Sequence, residues 1–124
     1  MPILTYRQDV GKRGEESACR ELERRGHKIL ARRYRTRFGE IDIVSECGGL
    51  VVFIEVKARS STKAGEAIEQ IPVWKRRRIA AMALDYLAYT GRLEDKCRFD
   101  VVAIDGAGTK AERLRVIEGA FLVE

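Results

Sequence analysis

Apolar positions recur with two periods along this 124-residue chain, and the switches between them mark out its elements. From about Asp9 to Arg25, Val10, Ala18, Cys19 and Leu22 fall on one arc of a helical wheel. This predicts an amphipathic helix stopped at Gly26, with Gly11 and Gly14 weakening its first turns. The period then shortens. Gly39 to Ser45 and Leu50 to Lys57 are rich in β-branched residues and predict two strands, with Glu46-Cys47-Gly48-Gly49 between them as a hairpin turn. Ser60 to Gly65 reads as a loop. After Pro72, Ile79, Met82, Ala83, Tyr86 and Leu87 return to helical spacing up to Thr90-Gly91. Phe99 to Ile104 and a run around Leu114 to Ile117 predict two more strands, separated by Gly106-Ala107-Gly108-Thr109. The order is helix, strand, strand, helix, strand, strand, which points to an α/β or α+β domain around one central sheet. No internal repeat or Pro/Gly/Ser-rich linker divides it, so one domain over residues 1–124 is expected.

Composition narrows the function classes. At 45% hydrophobic and 35% charged, a chain of this length is expected to bury roughly two-thirds of its unfolded surface without disulfide or metal staples. Cys19, Cys47 and Cys97 have neither disulfide-framework nor CxxC spacing. His27 is the sole histidine, which disfavours histidine-built zinc sites, serine triads and Cys–His pairs. No apolar run approaches the ~20 residues that span a bilayer, and no signal-peptide core follows Met1. A soluble, reducing, cytoplasmic setting without a membrane partner is expected.

The 24 Lys and Arg against 19 Asp and Glu leave a net charge of +5, but the distribution says more than the excess. Seven basic residues and His27 fill Arg24 to Arg37 with no acid among them, and Lys75, Arg76, Arg77 and Arg78 form a second cluster. Such clusters are the electrostatic footprint of a polyanion-binding surface, because neutralising phosphates releases condensed counterions. Arg32, Arg33, Arg35, Arg37, Arg59 and the run Lys75, Arg76, Arg77, Arg78 are the candidate nucleic-acid contacts. A solvated basic face is the competing reading. Four cations at a helix start oppose its dipole, a placement that makes more sense with phosphate nearby.

The acids are more selective. Strand alternation puts Glu40, Asp42 and Val44 on one face of the first strand, and Val51, Phe53, Glu55 and Lys57 on one face of the second. A two-residue turn at Gly48-Gly49 places Asp42 opposite Glu55; a four-residue loop makes the two diagonal neighbours. Either keeps both acids on one face, roughly 4.5 to 8 Å apart. Opposed carboxylates destabilise a hairpin unless a cation sits between them, and a hard divalent ion such as Mg²⁺ is the natural one. The Lys57 ammonium, two residues on, would offset that charge, orient a water or stabilise a developing phosphorane; its alternative is a surface ion pair with Glu55 or Glu40. Glu15 falls near the middle of the first helix's apolar arc. An inward acid is costly unless paired or metal-bound.

Gly39-Glu40-Ile41-Asp42, the thirteen positions from Asp42 to Glu55, and Phe53-Ile54-Glu55-Val56-Lys57 resemble the D…ExK core of the PD-(D/E)XK nuclease superfamily. Gly11-x-x-Gly14-Glu15 with Ala18, then Gly26-x-x-Ile29-Leu30-Ala31-Arg32, Lys57-x-Arg59, the Lys75 run and Arg98-Phe99-Asp100-Val101-Val102 extend the likeness. Together they resemble the YraN family, small bacterial proteins regarded as predicted nucleases of that superfamily and related to archaeal Holliday-junction resolvases. The chain departs from the family pattern at Arg33 and Ala67, where Asn and Pro are expected, and Ile41 replaces the superfamily's nominal Pro. The resemblance implies a restriction-endonuclease-like α/β fold, a central mixed β-sheet flanked by helices. It also implies a Mg²⁺- or Mn²⁺-dependent phosphodiesterase site of Glu15, Asp42, Glu55 and Lys57. Asp42 and Glu55 would ligate metal with the Val56 carbonyl, Glu15 directly or through water, and Lys57 would position or activate the attacking water. Gln70 is a further candidate, because some relatives carry a Glu or Gln on the helix after ExK.

The expected substrate is nucleic acid, DNA rather than RNA, branched or flapped forms included; a homodimer would suit junction cleavage. The alternatives are a catalytically silent nucleic-acid-binding module with the same fold and a protein-interaction scaffold. Trp74 and Tyr34 are candidates for base stacking, although a lone Trp beside an apolar helix is expected in the core. His27 reads as a polar residue of the basic turn, and Asp100 as the partner of Arg98 or Arg59.

Overall fold

Helix α1 (Tyr6–Arg24) opens the chain in the computed structural model, which describes residues 6–61 and 71–121, with side chains from Gly14 onward. It stops where the sequence says it should. Gly26 sits at φ 94°, its N–H donates to the Glu23 carbonyl, and the His27 N–H reaches back to the Leu22 carbonyl at 2.9 Å. This is a Schellman closure, in which a left-handed residue satisfies the last carbonyls. Helix α2 (Val73–Tyr89) ends the same way at Gly91, φ 70°, with the Arg92 N–H on the Leu87 carbonyl at 2.7 Å.

Five strands form one mixed sheet in the order β1 (Lys28–Thr36), β2 (Gly39–Cys47), β3 (Leu50–Arg59), β4 (Cys97–Asp105) and β5 (Arg113–Ile117). Neighbours are antiparallel except β3 and β4, which run parallel across the α2 connection. That is the α/β architecture expected, a mixed sheet with a helix on each face. Strand β1 corrects the predicted order, which lacked it. Its density of Lys and Arg disguised an edge strand, where charge is tolerated because it blocks edge-to-edge pairing. The first helix also starts three residues earlier than expected.

The β2–β3 turn is the two-residue Gly48-Gly49, both at positive φ (59° and 80°), the geometry that matches strand twist. Cys47 therefore pairs with Leu50, which excludes the four-residue loop and puts Glu46 and Cys47 in the strand. Two apolar layers sandwich the sheet. Ala18, Cys19 and Leu22 of α1 pack with Ile43, Val52, Ile54, Val102 and Ile104 on one face. Ile79, Met82, Ala83, Tyr86 and Leu87 of α2 pack with Ile41, Val44, Val51, Phe53 and Val101 on the other. Gly14 sets the approach of α1, since a Cβ there would stand 2.9 Å from Ala58 Cβ. The three cysteines are free thiols. Among the described residues no helix is long and apolar enough to cross a membrane.

Candidate active site

The β2–β3 ladder runs from Cys47↔Leu50 to Ile43↔Ile54 and stops there. In the next position the Val56 N–H donates to the Asp42 carboxylate at 2.8 Å instead of to a strand carbonyl. Alternation fails at the same place. Ile41 and Ile43 should share a face, yet Ile41 packs under α2 and Ile43 under α1. The expectation that Glu40, Asp42 and Val44 share one face is thus corrected. The partner strand breaks too: Arg33, between Arg32↔Ile43 and Tyr34↔Ile41, is the one described non-glycine residue at positive φ, 50°. The left-handed region suits Asn far better than Arg, and Asn was the residue expected there.

Around this opening the chain gathers charge from five elements. Gly14 brings α1 onto β3, so that Glu15 next to it turns toward the sheet with its side chain largely buried; Arg33 Nε donates to Glu15 Oε2 at 2.7 Å. Glu55, also mostly buried, accepts from Lys75 Nζ of the first α2 turn at 2.9 Å. Lys57 lies two residues beyond Glu55 in β3, half-buried, in register with Ala103. Glu40 pairs with Arg35 at 3.1 Å. Spacing could not reveal the Arg33 and Lys75 contacts, since both arise from helix placement on the sheet. The one signal was the cation-rich start of α2.

Asp42 feels this environment most. Burial raises its carboxyl first, the neighbouring Glu55 charge adds to that, the Val56 amide opposes it, Glu15 raises it and Lys75 lowers it, leaving it pushed up to about 7. The acid set has the chemistry a hard divalent cation takes: carboxylate oxygens of like charge brought together, with Asp42 the least compensated of them. Among the described residues no three acid, His or Cys side chains stand close enough to grip an ion as they are, and Glu15 and Glu55 lean on resident cations instead. A divalent ion would take the place of those ammonium and guanidinium charges.

The basic candidates divide in the same way. Arg33 and Lys75 face the acids, and Arg76 Nε donates to the Ile71 carbonyl at 2.8 Å. Arg32, Arg35, Arg37, Arg59, Arg77 and Arg78 are exposed. Arg78 lies over the Trp74 ring at 5.3 Å, and Arg37 over Phe38 at 4.8 Å. Trp74 is 62% exposed, which corrects its expected core position. Tyr34 instead packs edge-on against Tyr86, ring centroids 5.0 Å apart. His27 is also corrected: it is buried with Nδ1 2.8 Å from Ser45 Oγ, because the helix closure folds it inward, and burial lowers its pKa. Asp100 takes Arg98 as expected. Gln70 lies outside the described residues.

The model of an uncharacterised protein family, UPF0102, matches residues 14–104. A UPF0102 protein of Symbiobacterium thermophilum is 41% identical over 112 residues, covering 90% of this chain and 95% of its own length. One of Pelotomaculum thermopropionicum is 41% identical over 117 residues, covering 93% and 97%. One of Nitrosococcus oceani is 40% identical over 125 residues, covering 100% of this chain and 99% of its own.

Proposed function

This chain belongs to the UPF0102 family, the YraN family of its sequence resemblance, and we propose that it is a divalent-metal-dependent endonuclease. It hydrolyses phosphodiester bonds in DNA, branched or flapped forms included. The observation that carries this reading is Asp42. A carboxyl raised by burial and by two like-charged neighbours is a poor structural device and a good ligand waiting for a cation. Asp42 and Glu55 would hold Mg²⁺ or Mn²⁺ with the Val56 carbonyl, and Glu15 would reach it directly or through water. The bound ion supplies Lewis-acid polarisation and a water of lowered pKa. Lys57 orients the attacking water and balances the developing phosphate charge. Lys75, which pairs with Glu55 at 2.9 Å, would offer its ammonium to the phosphate, and the exposed arginines would hold the flanking backbone.

The test is a Mg²⁺ and Mn²⁺ titration with linear, flapped, branched and single-stranded substrates, run beside Asp42→Asn and Glu55→Gln. The wild type is expected to cleave, and each variant to lose at least about 100-fold. Cleavage of nothing in the panel, or equal cleavage by the variants, overturns the reading. The ion pairs Arg33–Glu15 and Lys75–Glu55 favour a second reading, a binding module whose acids are neutralised internally. Salt-sensitive DNA binding indifferent to divalent ions and to Asp42→Asn would select it.

A further inference from the structure

The chain has a single tryptophan, placed on the first turn of α2, and the fold leaves it outside. Trp74 is 62% exposed. Its neighbour Lys75 reaches Glu55 at 2.9 Å, so the indole stands one residue from a cation that touches the acid site. Arg78, one turn further, lies over the indole with its guanidinium carbon 5.3 Å from the ring centroid. That cation–π contact covers one face and limits the side chain's rotamers. Most of the side chain stays in solvent beside that contact. A large apolar ring held in water costs solubility without stabilising the fold, and the adjoining surface is strongly basic, with Arg77 and Arg78 exposed.

We propose that Trp74, backed by Arg78, is a stacking platform for an unpaired nucleobase, and that the substrate class therefore contains single-stranded or unpaired DNA beside the scissile phosphate. The proposal rests on the nucleic-acid reading above and sharpens it. Paired bases have their faces covered by their neighbours in the duplex, so a protein ring gains a stack only where a base is free. Backbone phosphates would lie on the cations that flank the indole, Arg77 and Lys75. Leu84, 60% exposed on the same helix, has no aromatic face and carries no such role.

Because Trp74 is the sole tryptophan, its emission reports the site directly. The full-length chain in EDTA, which prevents cleavage, is titrated with oligo(dT), with a blunt duplex of equal length and with phosphatidylglycerol vesicles. Anisotropy of labelled oligonucleotides gives affinity in parallel. Expected is quenching by oligo(dT) that tracks its binding curve, with little change on duplex binding. Trp74→Ala should lose roughly 5- to 150-fold in single-strand affinity, the range one base–aromatic stack is worth. Trp74→Phe should keep most of it and Leu84→Ala all of it, with duplex affinity changed less than about 2-fold in each. Four results overturn the platform: oligo(dT) binding with unchanged emission, equal losses on both DNA forms, an emission shift on vesicles alone, or no binding to any DNA. Cleavage with Mg²⁺ and a silent Trp74 would keep the nuclease and remove the platform. Quenching without cleavage would do the reverse.

Discussion

Asp42 and Asp100 both lie in the sheet, on strands β2 and β4, and are held on different terms. Asp100 is fully buried and fully answered: Arg98 Nε and Nη2 donate to its two oxygens at 2.8 and 2.9 Å, and the Gly119 N–H donates at 2.9 Å. Asp42 has the Val56 N–H and a more distant Lys75, against the charges of Glu55 and Glu15. The first arrangement uses a buried charge to pin β4 and the segment after β5. The second keeps like charges together where the ladder opens. What separates the two acids is the sign of their neighbours' charges.

The comparison breaks most sharply on Asp100→Ala. Removing that carboxylate strands a guanidinium and a backbone donor, a loss of about 3–5 kcal/mol, measurable by urea denaturation. DNA cleavage per folded molecule should stay unchanged. Asp42→Asn should do the opposite, keeping the Val56 hydrogen bond and losing no stability while cleavage disappears. Equal stability losses in the two variants would erase the distinction.

The next largest effect is one of pH. A carboxyl raised on folding contributes stability that is complete below its ordinary value near 3.8 and lost as pH rises through about 7. In EDTA the wild type should therefore weaken between pH 4 and pH 8 by up to about 4 kcal/mol relative to Asp42→Asn. Saturating Mg²⁺ should flatten that slope, since a cation favours the ionised form. A wild-type curve parallel to Asp42→Asn in EDTA would show that Asp42 carries no such burden.

Much of the arrangement was legible before any fold was seen. The sequence left the β2–β3 turn at two residues or four, both keeping Asp42 and Glu55 on one face, and the positive φ of Gly48 and Gly49 selects the two-residue turn. Glu15 read as inward because helical periodicity survives in the apolar arc. Strand β1 did not, and the reason is physical: its alternation breaks twice, at the bulge near Leu30 and at Arg33, so neither period is left to read. The two ion pairs were invisible because residues 15 and 33, or 55 and 75, meet only through packing.

Gly14→Ala tests how α1 contributes to the contrast. Its Cβ would meet Ala58 Cβ at 2.9 Å, so the helix must lift, costing roughly 1–3 kcal/mol. Ala58→Gly in the same chain should restore most of this. Lifting α1 also withdraws Glu15, so the pH slope assigned to Asp42 should shrink while the Asp100 pair is undisturbed. A destabilised Gly14→Ala with its pH slope intact would mean Glu15 matters little to Asp42.

The smallest effect belongs to Arg33→Asn, and it has two opposing parts. Asn tolerates φ near 50° where Arg is strained, which should add about 1 kcal/mol. The lost ion pair to Glu15 costs little in itself, because Arg33 is 52% exposed and such pairs are worth about 0–1 kcal/mol. The guanidinium also feels the Asp42 charge, however, and without it Asp42 becomes harder to ionise. At pH 5, with Asp42 protonated, the variant should be as stable as wild type or slightly more so. At pH 8 in EDTA the gain should vanish or reverse, and Mg²⁺ should recover it. A gain of the same size at both pH values would make Arg33 a matter of backbone strain alone and leave Asp42 with no cation on the β1 side.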